Sequence, residues 1–120
     1  MNFTITTLLV AFFLFAGSIK LTGWQKTIFA KQLEFFLSYG LNRSVMALVG
    51  LVECVSALAL VSGYIQAAAL GAVSLCLTSL GAIAFHLRFD TWTNAIPALV
   101  TAGLSAILCI DAWPTLAAML

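Results

Sequence analysis

Residues 44–61 read SVMALVGLVECVSALALV, an apolar stretch broken by one charged side chain, Glu53. A helix rising 1.5 Å per residue needs about 20 residues to cross about 30 Å of hydrocarbon, so this stretch is long enough for one span. Counted from Ser44, Glu53 lies about 13 Å in, near the bilayer midplane. An ionised carboxylate at that depth costs at least about 2.5–3 kcal/mol, so it is expected to be paired, protonated or facing a hydrated cavity. Gly50 and Ala57 share its helix face, and small neighbours place the carboxylate against another helix. Two roles stay open for it: a working acid or base, or a packing element that sets helix register.

The rest of the chain has the same character. Of 120 residues, 63% are hydrophobic and 8% charged, where soluble domains carry roughly 45–50% and about 25%. A net charge of +1 leaves no basic field for a phosphate backbone, which excludes nucleic acid as a partner. The charges cluster, and the gaps between them mark an all-α, integral membrane four-helix bundle within one domain, residues 1–120. A first charge-free stretch predicts a helix over about 3–19. The long apolar run after Arg43 divides at Ser62-Gly63-Tyr64 into helices over about 44–61 and 65–85. A fourth, opened by Pro97 in its first turn and closed near Asp111 and Pro114, covers about 95–110.

Trp24 and Trp92 fall at one set of helix ends, Tyr64 and Trp113 at the other, as two interfacial belts would. All five Lys and Arg lie in segments 20–43 and 86–94. By the positive-inside rule these are expected in the cytoplasm, with both termini, Met1 included, outside. The first apolar stretch has no basic residues before it, so it is expected to be a retained helix and not a cleaved leader. Within 20–43, Trp24, Ile28, Phe29, Leu33, Phe36 and Leu37 recur at spacings near three and four. That pattern predicts an interfacial amphipathic helix between helices 1 and 2, with Lys26, Lys31 and Glu34 toward water. It is either an anchoring linker or a lid over a pocket or docking surface.

Two more polar residues belong with Glu53. His86 ends the third helix on a stripe of Gly71, Leu75, Ser79 and Ala82, where its imidazole would exchange protons at the cytoplasmic mouth, hold a ligand, or anchor the boundary by a hydrogen bond. Lys20 shares a face with Phe13, Ala16 and Gly17, and either reaches toward Glu53 or snorkels to headgroups. Cys54, Cys76 and Cys109 stand in three different spans without C-x-x-C spacing and read as core residues. No His or Cys set has metal-ligand spacing, so no metal is expected. No nucleotide or nucleophile-elbow motif is present either.

Three pieces of sequence, AGSIKLTG (16–23), Arg43 with GLVE (50–53), and GAIAFHLRFD (81–90), together with Pro97, resemble the DoxX-like family of small four-helix bacterial membrane proteins over nearly the whole chain. The resemblance implies that fold, a bacterial inner-membrane location, and a polar cluster of Lys20, Glu53 and His86. The family name comes from a subunit of a thiosulfate-oxidising, quinone-reducing system. The corresponding expectation is a membrane subunit of a quinone-linked redox system that binds a small apolar ligand, such as a quinone, near Glu53. Glu53 would exchange a proton, His86 relay it and Lys20 stabilise the anion, with electrons coming from a redox partner protein because the chain has no intrinsic cofactor site. The alternatives are a noncatalytic membrane protein that assembles or stabilises a partner, and a small-solute transporter, which would require a homo-oligomer. Enzymatic activity of the chain alone is left open.

Overall fold

The computed structural model describes residues 2–120; the expected place of Met1 falls outside them. The described residues form six α-helices and no strand: α1 (Phe3–Thr22), α2 (Lys26–Ser38), α3 (Arg43–Leu60), α4 (Ile65–Phe89), α5 (Ile96–Asp111) and α6 (Trp113–Met119), with a 3-10 turn over Trp92–Ala95 leading into α5. Four segments, Phe3–Thr22, Arg43–Leu60, Ile65–Phe89 and Trp92–Asp111, are long and apolar enough to cross a membrane. The all-α membrane bundle expected from the charge spacing is what the chain builds.

The helix ends have local causes. The Asn2 side chain accepts from the Ile5 N–H at 3.0 Å, Gln25 from Ile28 at 2.7 Å and Asn42 from Val45 at 2.9 Å, each satisfying a donor that the first turn leaves free. Gly23 ends α1 at φ 72°, and its N–H reaches the Ile19 carbonyl. That left-handed conformation suits a residue without Cβ. Gly63, at φ 86°, makes the turn between α3 and α4.

Two ends differ from expectation in ways that matter for the site. α1 continues past Ile19 to Thr22, so Lys20 is inside the helix; α4 continues past Phe85 to Phe89, so His86 lies within its last turn and the helix runs on beyond it. Nothing polar enough to stop either helix occurs before Gly23 or Asp90. α6 was not anticipated. Pro114 looked like a stop, but it occupies the first turn of α6, where its missing N–H costs nothing.

The spanning helices pack in the order α1, α3, α4, α5, with a lighter contact between α5 and α1. Because lipid tails are as apolar as leucine, close van der Waals approach and interhelical hydrogen bonds hold such a bundle, not water exclusion. Glycines supply the approach. A Cβ on Gly50 would lie 2.6 Å from the Gly17 carbonyl oxygen and 2.7 Å from the Lys20 Cβ, and one on Gly71 would lie 2.7 Å from the Ser56 carbonyl oxygen. Ser56 donates to Ser74 across α3 and α4 at 2.9 Å, and Ser79 and Thr101 join α4 to α5 at 2.8 Å. Leu9, Phe13, Ala57, Leu60, Ala72, Leu75 and Leu108 form the core. Outside it, large apolar side chains such as Leu48, Leu77 and Ile110 are exposed and meet the bilayer's acyl chains.

Candidate functional site

α1 and α3 run antiparallel, and the Gly17–Gly50 crossing brings Lys20 level with Gly50, one turn from Glu53 on α3. Lys20 therefore meets Glu53 without spanning the depth that separates Glu53 from the membrane boundary. Its Nζ lies 2.8 Å from Glu53 Oε1, and the two side chains are only 12% and 6% exposed. At that distance the ammonium makes a charge-assisted contact with the carboxylate. Arg43 fixes the crossing from below: its guanidinium donates to the carbonyls of Lys20 and Leu21 at 2.7 Å each and stacks 4.9 Å from the Phe29 ring of α2.

Glu53 and Lys20 line a cavity of about 720 Å³ among α1, α2, α3, α4 and α5. Its walls are mostly aromatic and aliphatic, with Phe13, Phe35, Phe36 and Phe85 among them. The volume falls inside the range of roughly 300–1,000 Å³ that small-molecule sites occupy. α2 closes one end. None of its residues is fully buried, yet Ile28, Gln32, Phe35, Phe36 and Tyr39 line the cavity while Lys26, Lys31 and Glu34 are exposed. The expected amphipathic helix is present, and of the two arrangements its sequence allowed, it adopts that of a lid.

His86 is on the same cavity wall, but it bonds to Tyr39 and Asp90, not to Glu53 or Lys20. The Tyr39 hydroxyl donates to Asp90 Oδ2 at 2.8 Å, and His86 Nδ1 lies 2.8 Å from the Tyr39 oxygen and 2.9 Å from Asp90 Oδ1. With the tyrosine proton committed to Asp90 and an ionised carboxylate only accepting, Nδ1 carries the imidazole proton and Nε2 stays outside the cluster. Burial alone would raise the Asp90 carboxyl. The bonds from Tyr39, His86, the Thr91 N–H and Asn94 outweigh it, lowering the group from 3.8 to about 2. Burial, and then the bond to Asp90 and its charge, hold the Tyr39 hydroxyl above its ordinary 10.0. Tyr39 also stacks on Phe85 and Phe89, and Phe35 meets the His86 ring edge-on. The C-terminal end of the lid is thereby docked on α4.

The structure thus joins Lys20 to Glu53 and places His86 apart on the same cavity. Three participants escaped the sequence reading. Asp90 stands four residues after His86, a spacing that puts both on one helix face. Tyr39 and Gln32 offered no local signal, because their partners come from helices distant in the chain.

A family model described as the DoxX-like family matches residues 4–108. The chain belongs to the DoxX-like family. The resemblance carried by residues 16–23, Arg43 with 50–53, 81–90 and Pro97 is accordingly a true membership, and the bundle described above is that of a DoxX-like membrane protein. No curated protein and no solved structure matches this DoxX-like chain.

Proposed function

We propose that this DoxX-like protein is a membrane subunit of a quinone-linked redox system, and that its cavity binds a small apolar, ring-bearing ligand with a polar end at Glu53. The observation that carries this reading is the buried Lys20–Glu53 ion pair on the wall of a cavity of about 720 Å³ lined by aromatic rings. A charged pair set in an otherwise apolar cavity gives a ligand's polar end a fixed point, while the rings take its apolar part.

A quinone and its quinol interconvert by two electrons and two protons. The chain's own residues fit the proton part of that exchange. Glu53 takes or releases a proton at its carboxylate, and Lys20 at 2.8 Å stabilises the charge left on it. The aromatic walls keep water from the ring, and the docked lid covers the end nearest the basic segments. His86, with Nε2 outside its cluster, offers a proton acceptor on the same wall. Electrons come from a partner protein. The protein sits in the bacterial inner membrane with segments 20–43 and 86–94 in the cytoplasm, on the side where all its Lys and Arg gather.

Purification in mild detergent, followed by mass spectrometry of co-purifying lipid-soluble compounds and proteins, tests the reading. A ring-bearing redox compound is expected with the unaltered protein and not with the double variant Lys20→Met, Glu53→Leu, which removes both charges together. Recovery of one protein partner with no such compound would replace this reading by that of an assembly factor.

A further inference from the structure

The packing of α3 against α4 changes along their length. Toward the turn at Gly63 the two are tight: a Cβ on Gly71 would lie 2.7 Å from the Ser56 carbonyl oxygen, and Ser56 donates to Ser74 at 2.9 Å. About three turns further along α4, a Cβ on Gly81 would meet nothing within 4 Å. The two helices therefore splay apart toward the lid.

Counted in turns from the Ser56–Ser74 bond, Val52 comes opposite Thr78, Leu48 opposite Gly81 and Val45 opposite Phe85. All six line the cavity. Yet Leu48 is 59% exposed, and Val52 and Phe85 are each 37% exposed. A side chain that borders a cavity and is also open to the outside stands at its mouth, and this mouth lies within the apolar length of both spanning helices. The ends of the cavity are covered. Leu9, Ala57 and Leu75 pack the bundle on the far side of Glu53, and α2 lies over the near end, with Tyr39 bonded to His86 and Asp90.

We infer that the cavity opens sideways into the bilayer between α3 and α4, and that its ligand carries an aliphatic tail that leaves through this opening while the ring stays inside. This rests on the ring-bearing ligand of the preceding section and adds its tail and its route. Lipid tails are as apolar as the leucine and valines at the mouth, so an aliphatic tail passes from bilayer to opening at little cost, and the ring enters without displacing the lid. Val52 adjoins Glu53 in α3, so the opening leads to the Lys20–Glu53 pair.

The full chain in lipid nanodiscs, titrated with a benzoquinone series bearing no tail, a decyl tail and a long isoprenoid tail, tests the inference. The readout is the quinone retained in excess of protein-free nanodiscs, with concentrations taken per mole of lipid. A tail too long for about 720 Å³ must leave the cavity, so affinity is expected to stay within about threefold along the series. A loss of about tenfold or more for the isoprenoid member would show a cavity closed on all sides and overturn the opening, while leaving ring binding in place. A photoreactive diazirine on the tail is expected to label Leu48, Val52 or Phe85, and labelling confined to other helices would overturn the α3–α4 placement. Binding of none of the series would remove the ring-binding reading itself, and the tailed ligand with it.

Discussion

Glu53 and Asp90 are both carboxylates set against a neighbouring helix, and they are treated in opposite ways. Asp90, at the end of α4, accepts from Tyr39, His86, Thr91 and Asn94, and its acceptor capacity is filled by the protein. Glu53, deep between α1 and α3, has one cation at 2.8 Å and lines the cavity. A carboxylate filled on all sides fastens one piece of the fold to another. One held at depth by a single cation joins two helices on the wall of a cavity. The same contrast runs through their surroundings, because Asp90 holds the lid shut and Glu53 faces the space the lid covers.

The contrast is tested most strongly by removing half of the buried pair. Lys20→Met leaves the Glu53 carboxylate without its cation and is expected to lower stability in detergent by about 3 kcal/mol or more. Adding Glu53→Leu to it should recover most of the loss, since replacing a buried ion pair by apolar groups is often neutral. Thermal unfolding of the single and double variants measures both. A double variant no more stable than the single one would mean that Glu53 is held by more than Lys20.

A somewhat smaller effect is expected at the crossing that creates the pair. The added atoms of Gly50→Val meet the Gly17 carbonyl and the Lys20 stem, so α1 and α3 must separate, at about 2 kcal/mol. Thermal unfolding again reports it, and the ion pair should lengthen as the helices part. An unchanged melting point would show that the close approach of α1 to α3 is dispensable.

The smallest effect belongs to Asp90, and it is set by pH. Its carboxyl is lower folded, about 2, than its ordinary 3.8, so the lid contact gains stability from it above that ordinary value and loses it as pH falls through 3.8 toward 2. Hydrogen exchange of α2 amides should be independent of pH-driven opening near neutrality and rise across that acid window. Tyr39→Phe, which removes the donor to Asp90, should raise α2 opening by about fivefold at neutral pH and flatten the acid response. If α2 opens equally in both proteins, the lid is held by the aromatic stack alone.

The spans were legible because charge is so costly in hydrocarbon that its placement marks each helix, and because Gly63 and Pro97 carry turn and first-turn chemistry of their own. The face shared by Gly50, Glu53 and Ala57 was legible for the same kind of reason: small residues at helical spacing mark a close crossing. The Lys20–Glu53 distance was not. It depended on α1 running to Thr22 and on two glycines meeting across different helices, neither of which is a local property. The lid geometry was half legible, since the periodicity of Ile28, Leu33 and Phe36 revealed an amphipathic helix without showing what its apolar side would cover. Tyr39 and Gln32 were illegible because a residue in a connecting segment acquires its role only from what the bundle places opposite it.

Arg43 gives the lid one more property. By bonding the carbonyls of Lys20 and Leu21, it ties the start of α3 to the end of α1, so the segment carrying α2 leaves and returns at one pinned root. A released Tyr39 therefore remains tethered within a short radius of its dock on α4, at an effective concentration far above that of any free competitor. The chain entropy of closing that loop is already met by the helix crossing, which favours return of Tyr39 to its own dock.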